Sequence, residues 1–419
     1  VTRWLTSKAG VWGRGLVGVL AILVGLGGVV AWYGGLETFS GSPVVDASRG
    51  EVAATDPSLF YSPWNWGSDD SVLQTTHLGA WLKFGWTGRS LRLRVDVSRG
   101  DRAGLPPESY PVVGYSIDGG PFQVLRLVRG DRERTLADGL SEGRHTCRAY
   151  LRWVGFGHER WRAGRQVALW QVTGLRLDPG ASVFRDPELR PRRVLFFGDS
   201  ILDGAFNLGA ETDSRRAWPE VVAERLDAEP GRVGFEGQSY AIVGNASNGN
   251  VPALFIPGNP RESTWDLLDS AHPRLAAGRF APLPDVVFLS HGANDAINRV
   301  FASQVEEALG GLLPRLRAAA GPACLIVVVV PFEGFFRKTI TAVVAAYRSS
   351  TRDARCHLVD LGPDASSRGV DQVAGQAIPR SFDGLHPNVA MHARLGAKLA
   401  DSVIEIDPSL GLPSTVGKK

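Results

Sequence analysis

Apolar residues fall into three successive patterns along the chain. Residues 15–36 carry no charge and are rich in Leu, Val, Ala and Gly. A helix over that stretch would be about 33 Å long, the thickness of a bilayer's hydrocarbon core. From Leu59 to about Ala181 apolar and polar positions alternate, as in Ala80-Trp81-Leu82-Lys83-Phe84 and Leu91-Arg92-Leu93-Arg94-Val95. Period-two alternation predicts half-buried strands. Val113–Ile117 and Phe122–Leu125 flank Asp118-Gly119-Gly120, and Asp-Gly between strand-like runs predicts a hairpin. Further strands are expected over 145–153 and 167–177. With turns between them and no helices, they predict an antiparallel sandwich over 57–183.

From Val194 the pattern changes to short continuous apolar runs: Val194–Phe197, Val233–Phe235, Val286–Leu289, Leu325–Val330 and His357–Leu361. Amphipathic helical stretches lie between and after them, at 218–226, 304–319, 335–347 and 388–404. Alternating β and α implies a parallel sheet covered on both faces. The stretch 245–274, rich in Gly, Asn and Pro, reads as a long excursion walling a cleft. The expected organisation is an N-terminal segment 1–14, a membrane segment 15–36, a linker 37–56, the sandwich 57–183, a connector 184–193, the α/β domain 194–407 and a tail 408–419.

Charge adds direction to the first segment. Arg3, Lys8 and Arg14 precede it and Glu37 is the first charge after it, which places the amino terminus in the cytoplasm and the remainder outside. An uncleaved signal anchor and a cleaved signal peptide both remain open. The lack of a small-x-small site, and of a lipobox cysteine, favours the anchor. A net charge of +3 argues against a nucleic-acid partner. Cys147, Cys324 and Cys356 lack metal-ligand spacing. Cys324 and Cys356 each open a strand-like run. They allow a disulfide at one sheet edge or two buried free thiols, the second being favoured.

Candidate chemistry lies at strand ends. Val194-Leu-Phe-Phe-Gly-Asp-Ser200 runs a buried strand into a serine, where open α/β sheets place their ligands. Glu236-Gly-Gln-Ser239 follows the second strand, Gly292-Ala-Asn-Asp295 the third, and Asp383-Gly-Leu-His-Pro387 precedes the last helix. A serine hydroxyl needs a base, and His386 can serve, with Asp383 fixing its tautomer. The backbone N–H groups of Ser200 and Gly237 and the Asn294 amide are candidate oxyanion donors, with Gly244 as an alternative to Gly237. His291 and His392 read as bystanders, and Asp199 as a support for the turn. Seven tryptophans punctuate the sandwich: Trp64, Trp66, Trp81, Trp86, Trp153, Trp161 and Trp170. Core filling is their ordinary fate. Trp64 and Trp66, in a turn-rich stretch, are the candidates for stacking on a sugar.

These four blocks resemble those of SGNH (GDSL-type) hydrolases over roughly residues 192–406. The resemblance implies a flavodoxin-like three-layer α/β/α domain, no metal or other cofactor, and ester hydrolysis through an acyl-serine. A jelly-roll-like sandwich ahead of such a domain also looks like two-domain acetyl esterases of carbohydrate esterase family 2, as do Ser116-Ile-Asp-Gly-Gly120 and Gly139-Leu-Ser-Glu-Gly-Arg-His-Thr146. The expected function is removal of acetyl or other short acyl groups from a carbohydrate or cell-wall polymer outside the cytoplasm. A lipid or fatty-acyl esterase, a cell-wall O-acyltransferase, and a glycan-binding protein with an inactive hydrolase domain are the alternatives.

Overall fold

The structure is a computed structural model and describes residues 47–411 apart from 70, 245–250, 260–261 and 374–375. The expected membrane segment, the residues before it and the first half of the linker lie outside the described residues, as does the tail from 412. Among the described residues no helix is long and apolar enough to cross a membrane. All of them belong to one compact unit.

The alternating region folds as two facing antiparallel sheets of six strands each. One sheet is built on Trp170–Leu177, flanked by Val72–Thr75 and Leu91–Val95. The other is built on Arg144–Trp153, flanked by Trp81–Thr87 and Val112–Ile117. Leu73, Leu82, Phe84, Trp86, Leu93, Val113, Trp170 and Leu175 share one buried core between them. The alternation in sequence therefore becomes an inward face on each sheet. Asp118 and Gly119 both take positive φ, 52° and 69°, as the tight turn of the expected hairpin requires. The linker is shorter than the sequence suggests, because Glu51–Ala53 already pairs with Trp170–Leu177. A helix at Ser98–Ala103 was not legible in the alternation.

The second half is a five-stranded parallel sheet in the order Ala228–Gly234, Arg192–Gly198, Val286–Ser290, Leu325–Val329, Cys356–Val359. In chain order this is 2-1-3-4-5, the flavodoxin-like arrangement. Successive residues of each strand feed opposite cores. Leu195, Phe197, Val287, Leu289, Ile326 and Val328 pack with residues of helices Ala302–Ala320 and Arg337–Thr351. Val194, Phe196, Val286, Phe288, Leu325 and Val327 pack with helices Trp218–Arg225 and Val389–Ile406. The result is three layers, as expected.

Two expectations are corrected here. The second strand begins five residues early, and its Ala-Glu-Pro-Gly-Arg stretch gives no apolar signal. It is nevertheless wholly buried because the sandwich covers this sheet edge, where a proline is tolerated. A Cβ at Gly231 would come within 2.4 Å of the Pro63 carbonyl oxygen and 2.5 Å of the Trp64 ring, so glycine permits that close approach. The cysteine pair is also out of step. Ile326, not Cys324, lies opposite Cys356, and all three cysteines are free and buried. Burial pushes the thiols of Cys324 and Cys356 up to about 12.

Candidate active site

Ser200 stands two residues beyond the strand Arg192–Gly198, at the start of the short helix Ser200–Asp203. Asp199 caps that helix by accepting from the Ile201 N–H at 2.9 Å. The capped turn presents the Ser200 hydroxyl to the base. The hydroxyl donates to His386 Nε2 at 2.8 Å, and His386 Nδ1–H donates to Asp383 Oδ2 at 2.6 Å. The other Asp383 oxygen accepts the backbone N–H groups of Leu385 and His386, at 2.9 and 2.8 Å. Burial works to raise the Asp383 pKa, but the His386 ring and those two backbone donors outweigh it and hold the carboxyl below its usual range. Ser200, His386 and Asp383 thus form the hydrogen-bonded chain expected from the sequence.

The oxyanion side is assembled from the second and third blocks. Gly237 adopts φ +74°, the left-handed region that favours glycine. Its N–H and that of Ser200 meet no backbone acceptor among the described residues. Gly244 is excluded as the alternative, because its N–H is spent on the Val251 carbonyl at 2.8 Å. Asn294 Nδ2 donates to Asp199 Oδ2 at 3.1 Å and to the Gln238 carbonyl at 3.0 Å. Asn294, expected as the third oxyanion donor, thus spends both amide hydrogens tying the serine turn to the glycine loop. Asp295 extends the tie by accepting the N–H groups of Tyr240 and Ala241, at 3.1 and 3.0 Å. The Gly292 N–H donates to Ser239 Oγ at 2.8 Å.

Sequence reading gave Asp295 and Ser239 no role. Their only signal was position within the two blocks. Asp199 does more than support its turn, since it also anchors Asn294. Burial raises its pKa to about 7. His291 and His392 are bystanders: both are buried, and burial lowers each to about 3.

The stacking candidates are corrected. Trp64 is 6 % exposed, donates Nε1–H to the Pro282 carbonyl and packs on Phe280. Trp66 is 7 % exposed and lies in the sandwich core against Tyr61 and Trp170. Large aromatic rings beside a turn are drawn into the nearest core or seam. The aromatic groups that do approach the triad are others. Phe206 meets the His386 ring at 5.3 Å, Phe156 meets Phe206 at 6.3 Å, and half-buried Trp153 meets Phe156 at 6.1 Å. Trp153 and Phe156 come from the sandwich.

The chemistry follows from the geometry. In this geometry Ser200 Oγ can attack an ester carbonyl while its proton passes to His386 Nε2 and Asp383 stabilises the imidazolium. The carbonyl oxygen becomes an oxyanion facing N–H donors that are already oriented. His386 then protonates the leaving alkoxide, and a water activated by the same ring releases the acid from the acyl-serine.

The protein is an esterase with a GDSL-like acylhydrolase domain. Residues 196–394 match the GDSL-like Lipase/Acylhydrolase family. No curated protein matches the sequence. Among solved structures, a family two carbohydrate esterase from Cellvibrio japonicus superposes with a TM-score of 0.63 at 16 % identity, over 85 % of this chain and 97 % of that one. A family two carbohydrate esterase from Clostridium thermocellum in complex with cellohexaose gives 0.62 at 18 % identity, over 83 % and 98 %. The salicylyl-acyltransferase SsfX3 from a tetracycline biosynthetic pathway gives 0.55 at 16 % identity, over 85 % and 99 %. At these identities the likeness is one of fold, and it extends across both the sandwich and the hydrolase.

Proposed function

We propose that this esterase removes acetyl or other short acyl groups from a carbohydrate or cell-wall polymer, outside the cytoplasm and tethered by residues 15–36. The observation that carries the substrate reading is the aromatic row Trp153, Phe156 and Phe206 ending at His386. Aromatic faces beside the base suit the C–H faces of a sugar ring bearing the ester. The fold shared with carbohydrate esterases supports the same reading. The uncharged segment flanked by basic residues on its amino side supports the location.

The test is acetate release by the full chain from a panel of acetylated polysaccharides, with Ser200→Ala as the control. Release by wild type and none by a folded Ser200→Ala variant is expected. Release that survives Ser200→Ala overturns the nucleophile, and turnover of simple aryl acetates with no acetylated glycan hydrolysed overturns the carbohydrate. Extraction of membranes with carbonate tests the tether, which fails if the protein is released.

A second reading, an esterase for longer apolar acyl chains, is favoured by one feature. Phe301, Phe382, Ile297 and Val243 are exposed large apolar side chains near the catalytic blocks in sequence. A rise in kcat/KM from acetyl to octanoyl esters would select it.

A further inference from the structure

We propose that Arg160 of the sandwich is a positioning residue for the oxyanion-hole loop, so that the sandwich is a working part of the catalytic centre. Arg160 is 0 % exposed. Its Nη1 meets Glu236 Oε2 at 2.8 Å, and its Nη2 donates to the Thr76 carbonyl at 2.6 Å. The second Glu236 oxygen accepts the Gly157 N–H at 2.9 Å. Both oxygens of this carboxylate are thus held by the sandwich. Phe235, the preceding residue, is held too: the Arg160 guanidinium lies 4.9 Å over its ring and Trp161 meets it edge-on at 6.0 Å.

Glu236 immediately precedes Gly237, whose N–H is an oxyanion donor on the reading of the site proposed above, on which this inference rests. The loop is gripped from both ends. Asn294 and Asp295 hold Gln238, Tyr240 and Ala241 from the hydrolase side, while Arg160 holds Phe235 and Glu236 from the sandwich side. A donor aimed at a developing charge acts only if its position is fixed beforehand. Charge-assisted, multidentate contacts at a dry site fix position more firmly than single neutral bonds. Arg160 touches no reacting atom, so its effect on catalysis passes through the Gly237 amide.

The experiment uses the full chain with Glu236→Gln, which keeps the shape and the Gly157 contact, and with Arg160→Lys and Arg160→Gln. Two rates are measured, p-nitrophenyl acetate turnover and inactivation by diethyl p-nitrophenyl phosphate. In inactivation Ser200 Oγ bonds to phosphorus, p-nitrophenolate leaves and the serine proton passes to His386; the P=O oxygen occupies the oxyanion hole. The reagent reports the hole whatever ester the enzyme prefers.

In variants that remain folded by circular dichroism, kcat and the inactivation rate should fall together by about 10-fold or more, since small misplacements of catalytic groups carry such costs. KM should stay near the wild-type value, and the Arg160→Gln/Glu236→Gln pair, neutral and hydrogen-bonded, should recover part of the loss. Inactivation and kcat within twofold of wild type in folded Glu236→Gln would overturn the proposal. So would a loss that appears only where thermal stability has fallen and vanishes on cooling.

Discussion

Asp203 offers a measurement of how the buried interior handles charge. It follows the nucleophile by one turn, is 0 % exposed, and neither carboxylate oxygen has a hydrogen-bond partner. Burial raises its pKa from 3.8 to about 7; Glu236 and Asp199 push the same way, and Arg160 and Arg232 oppose them. A carboxyl whose folded pKa is raised is most stabilising when protonated. Its contribution is full below the unfolded value near pH 4 and is lost as pH rises towards 7. The rise corresponds to about 4 kcal/mol, one pKa unit being about 1.4 kcal/mol. Asp203→Asn keeps the shape and cannot ionise. Its stability should match wild type near pH 3.5, exceed it by about 2 kcal/mol at pH 5, and exceed it by about 4 kcal/mol at pH 8. Urea unfolding of both proteins at those three pH values is the assay. A pH-independent difference, or a variant less stable at pH 8, would refute the reasoning. The second result would mean that Asp203 is ionised in the folded protein and held by Arg160 and Arg232.

Asn294→Ala removes the tie between Asp199 and Gln238 that holds the serine turn to the glycine loop. Steady-state kinetics should show kcat lower by about 10²-fold with a small change in KM, through misplacement of the groups that loop and turn carry. Lys83→Met removes the cation that faces Glu229 at 2.6 Å across the buried seam and leaves that carboxylate the Arg190 N–H at 3.0 Å. Urea unfolding should register a loss of about 3–5 kcal/mol, most of it recovered in Lys83→Met/Glu229→Leu, because an unpaired buried charge costs more than an absent pair.

What could be read from the sequence was whatever the chain encodes locally. Continuous apolar runs gave the parallel strands, and Asp118-Gly119 gave a hairpin turn. The triad was legible because Asp383 and His386 lie within one turn and Ser200 closely follows an unmistakable strand. Contacts made across the docked halves were not legible. Arg160 and Glu236 are separated by 76 residues, and neither stands out by composition or period. The cysteine offset depends on register between two strands, which the apolar runs leave free. Trp64 and Trp66 were misplaced because a turn-rich stretch signals the surface only if nothing else docks there. Here Trp64 docks on the edge strand Ala228–Gly234, where Gly231 admits its ring, and Trp66 is drawn into the sandwich core.

That docking changes how the sandwich is understood. A module that only recruits polymer needs a flexible attachment and a small, polar contact with its enzyme. This one buries ion pairs instead. Lys83 meets Glu229 and Arg160 meets Glu236, both across the seam. Trp81 Nε1–H donates to Glu220, which also pairs with Arg232 at 2.8 Å. Tyr150 donates to Asp213 at 2.8 Å, and Ser214 Oγ–H to the Leu151 carbonyl at 2.9 Å. Removing the sandwich would strip the Lys83 cation from Glu229 and both partners from Glu236, and expose the sheet edge that it covers. The hydrolase half carries every residue of the triad, yet its charges are balanced only with the sandwich in place. Ser200 owes its proton transfer to local sequence; the loop that receives the oxyanion is held by residues from both halves of the chain.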